Sequence, residues 1–125
     1  MRTPTPVMVL TGVVLALFTG VAPLLAGFAG TDVFLPSVGR KPGAAGSQWY
    51  TTLWIYNPGA ANANVQVTFL ERDKDNTVAP IYNLTIVAGE TQRFDNAIWS
   101  LFNKEAFGAL RVSSPDHKLV VNSRI

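Results

Sequence analysis

The sequence predicts an all-β chain: an antiparallel β-sandwich of about seven strands, immunoglobulin-like in outline, with one short helix near 95–102. Three observations predict it. Short apolar runs alternate with period two and are punctuated by Gly, Pro, Asn and Asp. Only one stretch, behind Asp95, switches to helical spacing. At 125 residues without a cysteine, a single domain must hold itself by packing alone, which suits two sheets closed on one core.

Val33 to Val38 is the first strand, and Pro36 marks it as an edge or bent strand. Gly39 to Ser47, with three glycines and Pro42, reads as loop. Gln48 to Tyr56 has the clearest alternation in the chain. Trp49, Thr51, Leu53 and Ile55 share one face, and Tyr50, Thr52, Trp54 and Tyr56 the other. Asn57-Pro58-Gly59 then turns the chain. Asn64 to Glu71 alternates again, and Ile81 to Val87 follows beyond a polar loop at Arg72 to Thr77. Thr91 to Phe94 is a short strand. Asp95 is the expected N-cap of a helix carrying Ala97, Ile98, Leu101 and Phe102. Gly108 to Ser113 and Lys118 to Arg124 complete the count. The predicted core is Leu53, Ile55, Val67, Phe69, Leu84, Ile86, Leu110 and Val112. The Cys-Trp-Cys hallmark of antibody domains is missing, so strand order is not fixed by the pattern.

The first 29 residues are a separate object. No charge lies between Arg2 and Asp32, Val7 to Leu25 is almost continuously apolar, and Gly27-Phe28-Ala29 presents the small residues of a cleavage site. This is the pattern of an export signal cut after Ala29, leaving one domain, 30–125. An uncleaved anchor is the competing reading, and then the leader is the chain's membrane contact. Export places the domain outside the cell or at its surface, or in the periplasm where the host has an outer membrane.

Composition removes several chemistries. Without cysteine there is no thiol catalysis and no cysteine-bearing zinc site, and a lone histidine, His117, supplies no His-rich metal site. A net charge of +2 is too small to argue for nucleic acid. No cofactor is implied. His117 lies beside Asp116 and near Ser113 and Ser114, but neighbours in one turn do not form a triad, whose members must converge across a pocket. A small hydrolase would need His117, a serine and a carboxylate within hydrogen-bond reach.

Two places carry binding chemistry. Tyr50, Trp54 and Tyr56 form an aromatic strip able to stack on sugar rings, unless a loop or the helix covers it. Asp73, Asp75 and Asn76 have the oxygen alternation of a calcium loop. The glycine and distal glutamate of that loop are out of register, and Arg72 and Lys74 oppose a cation, so a solvated hairpin tip is the competing reading. Asn83-Leu84-Thr85 matches a glycosylation acceptor inside a strand pattern. Arg93, Arg111 and Arg124 sit on strands, with Asp95 and Asp32 as available partners.

The order of motifs adds a resemblance. Val33-Phe34-Leu35-Pro36, a Gly-rich loop, and Trp49-x-Thr51-x-Leu53-x-Ile55-Tyr56-Asn57-Pro58 come first. Ala88-Gly89-Glu90-Thr91 with Arg93 and Asp95, then Leu101-Phe102, Gly108-Ala109-Leu110-Arg111-Val112 and Ser123-Arg124 follow. From Val33 to Arg124 this resembles a poorly characterised group of secreted bacterial β-sandwich modules, found as repeats or as appendages of larger extracellular proteins. The resemblance implies an exported, non-enzymatic domain and no established ligand. Thr52 stands where the group usually has an acidic residue, and the group usually continues past the Ser-Arg pair into a further strand.

The sequence therefore points to a non-catalytic module with a structural or protein-interaction role. Carbohydrate binding through Tyr50, Trp54 and Tyr56 is the alternative. The strand at 118–125, without a following neighbour, is the expected edge for pairing with another chain or a second copy.

Overall fold

The computed structural model describes residues 29–125. The expected leader therefore lies outside the described residues, except for Ala29. Among the described residues no helix is long and apolar enough to cross a membrane.

Eight strands and one helix follow one another: β1 (Asp32–Pro42), β2 (Gln48–Tyr50), β3 (Thr52–Tyr56), β4 (Ala63–Glu71), β5 (Ile81–Ile86), β6 (Thr91–Phe94), α1 (Ala97–Phe102), β7 (Phe107–Ser113) and β8 (Val120–Arg124). They form two antiparallel sheets, ordered β2-β1-β7-β4-β5 and β6-β3-β8. This is the expected sandwich with its one short helix. The additional strand arises because the stretch read as one strand, Gln48–Tyr56, is divided between the sheets. Its hinge is Thr51, fully buried. Thr51 exchanges bonds with Gly39, Gly39 N–H donating to Oγ1 at 2.8 Å and Thr51 N–H to the Gly39 carbonyl at 3.0 Å. Its own carbonyl accepts the N–H of Ala97 at 2.8 Å, meeting one of the unpaired donors at the start of α1.

β1 runs on to Pro42 and pairs with β2 as a hairpin, Arg40 opposite Tyr50, so the expected loop shrinks to residues 43–47. Pro36 falls where the β1–β7 register shifts between Leu35 and Val38. A bulge there accommodates a residue that cannot donate to the ladder, and β1 lies inside its sheet as a bent strand. Asp95 is not the helix cap. Asn96, in left-handed conformation, precedes α1 without a side-chain bond, while the Asp95 carboxylate turns to Arg93.

Alternation puts Val65, Val67 and Phe69 of β4, Leu110 and Val112 of β7, and Leu53 and Ile55 of β3 on facing inner surfaces, all essentially without solvent contact. Every predicted core residue is in this cluster; Leu84 is half-buried at its margin. α1 closes one end of the sandwich, burying Ala97 and Ile98 and bringing Phe102 to 5.7 Å from the Phe69 ring. Gly108 lets β7 pass β4 at close quarters: a Cβ there would collide with the Leu70 carbonyl oxygen.

Candidate functional site

The outer face of the three-stranded sheet follows from the register. Trp54 on the central strand lies between Arg93 of β6 and Asn122 of β8. Thr52 is paired with Arg124, and Tyr56 lies between Thr91 and Val120. Period two sends all of these side chains away from the core, because Leu53 and Ile55 between them point in. Tyr56, Arg93, Asn122 and Arg124 are exposed and Trp54 is half-buried. The helix lies elsewhere, packed against β1 and β5.

The three aromatic residues read as one strip are brought to this side in two groups. Trp54 and Tyr56 share β3. Tyr50 belongs to β2 of the other sheet, yet the hinge at Thr51 returns it to the end of the same surface. There a concavity of ≈ 540 Å³ is lined by Trp49, Tyr50, Thr52, Trp54, Arg93 and Arg124, among others. Trp49, assigned to the opposite face by simple alternation, joins Tyr50 here because the strand breaks. Tyr56 stands outside the concavity on the same face.

The charges around it are unequal. Arg93 Nε donates to Asp95 Oδ1 at 2.8 Å, and the guanidinium carbon lies 5.6 Å from the Trp54 ring centroid. The same carboxylate oxygen is 3.5 Å from the Thr52 hydroxyl. Arg124 joins no ion pair among the described residues. Two guanidinium groups and one carboxylate thus frame an aromatic floor.

The other candidates are arranged differently. Asn76 Nδ2 donates to the Glu71 carbonyl at 3.0 Å while its Oδ1 accepts the Glu71 N–H at 3.1 Å. Asp75 Oδ1 takes both the N–H and the hydroxyl of Thr77, and these two bonds hold its carboxyl below the ordinary value. Asp73 points to solvent with Arg72 3.8 Å away. The side-chain oxygens of Asp75 and Asn76 are thus engaged within their own hairpin, and no group of three or more His, Asp or Glu suited to a metal occurs among the described residues. His117 Nδ1 lies 2.6 Å from its neighbour Asp116, and the Ser114 hydroxyl is buried without a partner among the described residues. Asn83 is exposed on edge strand β5.

One polar residue read only as a turn is a buried hub. Asn57, fully enclosed, donates through Nδ2 to the carbonyls of Ala61 (2.8 Å) and Ile86 (3.0 Å) and accepts the Gly59 N–H through Oδ1 (3.0 Å). It fixes the end of β3 and with it the orientation of Tyr56. The Asn-Pro-Gly signal showed the turn, but not that the side chain would point inward.

No family model and no curated protein matches the chain. The sandwich is similar to several solved structures. The Anabaena sensory rhodopsin transducer superposes with a TM-score of 0.56 at 19% identity, covering 79% of this chain and 99% of that one. Thermotoga maritima 1070 gives 0.54 at 15% identity, with 79% and 94% covered. At these identities the likeness is one of fold.

Proposed function

We propose that the chain is a non-catalytic, exported β-sandwich module that acts outside the cytoplasm through protein interaction, with β8 as the strand that receives the partner. The observation that supports this reading most is the position of β8 at the edge of its sheet. Leu119 exchanges both main-chain bonds with Gly30, at 2.8 and 3.0 Å. By the alternation of an antiparallel ladder, Val121 and Ser123 also face away from β3. The Ser123 N–H is taken by the Asn122 side chain at 2.9 Å, so among the described residues the N–H and C=O of Val121 and the C=O of Ser123 have no main-chain partner. A second copy aligned antiparallel would satisfy them and extend three strands to six.

Light scattering of the protein across concentration tests this. A dimer is expected, strengthened by Asn122→Ala, which uncovers the Ser123 N–H. A strict monomer at high concentration overturns the edge reading. Export is checked separately by the N-terminus of the protein recovered from its host. Gly30 in an extracytoplasmic fraction supports it, and an intact leader in the cytoplasm overturns it.

A second reading, carbohydrate binding, draws support from one specific feature. Trp54, half-buried, and Tyr56, exposed, stand two residues apart on the outer sheet face, with Tyr50 at its end. Binding of the protein to a glycan array, lost in Trp54→Ala, tests that reading.

A further inference from the structure

We propose that the outer face of the β6-β3-β8 sheet takes an acidic polysaccharide, a chain of uronic acid rings, with Trp54 and Tyr50 under the rings and Arg93 and Arg124 on their carboxylates. This rests on the carbohydrate reading and specifies its ligand class.

Arg93 is opposite Trp54 and Arg124 opposite Thr52, on the two strands that flank β3. Two strand spacings and two residues of rise separate their Cα atoms by about 12 Å. Both side chains leave the same face, one on either side of the aromatic floor, and both line the concavity. A ligand crossing β3 diagonally meets one guanidinium, then an aromatic surface, then the other guanidinium. That order suits a polymer whose flat rings carry a carboxylate at intervals.

Charge decides between neutral and acidic sugars. Asp95 is the carboxylate close to the floor, and Arg93 already engages it. A neutral sugar would leave Arg124 unanswered, whereas a uronate offers the bidentate acceptor that a guanidinium fits best. The aromatic floor argues for sugar over a bare polyanion. A polyanion recognised by charge alone needs no stacking surface, and a net charge of +2 gives the protein no broad field to attract one.

The experiment is titration of the full chain with polygalacturonate, with its fully methyl-esterified neutral form, and with polyglutamate and single-stranded DNA as polyanions without uronate rings. Polygalacturonate should bind at least tenfold tighter than the ester, and Arg124→Gln should lower its affinity about tenfold. Because Arg124 holds no ion pair among the described residues, the thermal midpoint of that variant should stay at the wild-type value, which separates lost binding from lost structure. Equal binding of acid and ester, unmoved by Arg124→Gln, overturns the acidic class while keeping the carbohydrate reading. Binding of none of the polymers overturns both. Polyglutamate bound as tightly as polygalacturonate overturns the proposal and leaves charge alone as the recognised feature, and DNA bound that tightly overturns it in favour of bases stacked on the aromatic floor.

Discussion

The two sheets present outer faces of different kinds. On the five-stranded sheet, Arg111 grips Asp32 with two bonds of 2.7 and 2.9 Å while its guanidinium carbon lies 5.7 Å from the Phe34 ring centroid. Beside it Thr85 donates to Asn64 across the β4–β5 pair. Exposed apolar groups remain there, Phe34 and Ile81 among them, but this arginine has its carboxylate. On the three-stranded sheet Asp95 pairs with Arg93, while Arg124 on the opposite flanking strand lines the aromatic concavity. On this second face Arg124 has no such partner among the described residues. Exposure alone does not separate them, since Phe34 is more exposed than Tyr56. Lys41 of β1, also without an ion pair among the described residues, lies 5.9 Å from the single Phe107 ring, whereas Arg93 and Arg124 line one concavity together with Trp49, Tyr50 and Trp54.

Both sheets close on one core, and the largest expected effects lie there. Phe69→Ala removes a fully buried ring stacked on Phe102 and should cost about 3–5 kcal/mol in urea unfolding. For a domain stable by about 5–15 kcal/mol that is a large share. A loss below about 1 kcal/mol would mean that the sheets do not meet at Phe69. Next comes Asn57→Ala. It strands the Ile86 carbonyl and the Gly59 N–H in a buried turn, and about 1–3 kcal/mol should go with them. Asn57→Asp should not rescue it, because a carboxylate has no protons for the two carbonyls.

How much of this was legible depended on whether the information is local. The burial phase was, because period two forces Leu53, Ile55, Val67, Phe69, Leu110 and Val112 onto one side wherever a strand is half-buried. The sheet change at Thr51 was not. Thr51, Thr52 and Leu53 are buried in succession, yet two threonines inside an alternating run look the same as strand residues. That one break moved Trp49 to the aromatic side and placed Tyr50 in the other sheet. Pairings were illegible for a further reason: Asp32 and Arg111 are joined by the β1–β7 register, 79 residues apart in sequence. The candidate site was legible as an aromatic strip and illegible as a charged one, since Arg124 reaches it only through the β3–β8 ladder.

Paired substitutions on the two faces sharpen the contrast. Trp54→Ala and Phe34→Ala each remove a partly exposed ring and should each cost less than about 1.5 kcal/mol. Only Trp54→Ala should weaken polygalacturonate binding, by about tenfold. Equal losses from both would show that the faces are not functionally distinct.

The smallest expected effect concerns the closed face. The Arg111 hydrogen bonds hold the Asp32 carboxyl below its ordinary value near 3.8, the Arg111 charge adds to this, and partial desolvation opposes it. The Arg111 guanidinium is raised in return by the same bonds. A carboxyl depressed in the folded chain takes up protons later than in the unfolded one. Its contribution is therefore present above the ordinary value and disappears as pH falls through the folded one. Asp32→Asn should thus lower the thermal midpoint slightly at pH 7, and the gap to wild type should narrow as pH drops below about 4. Salt should narrow it too, because both side chains are close to half exposed and screening weakens such pairs. A gap that ignores both pH and salt would assign Asp32 a packing role and remove the electrostatic distinction between the two faces.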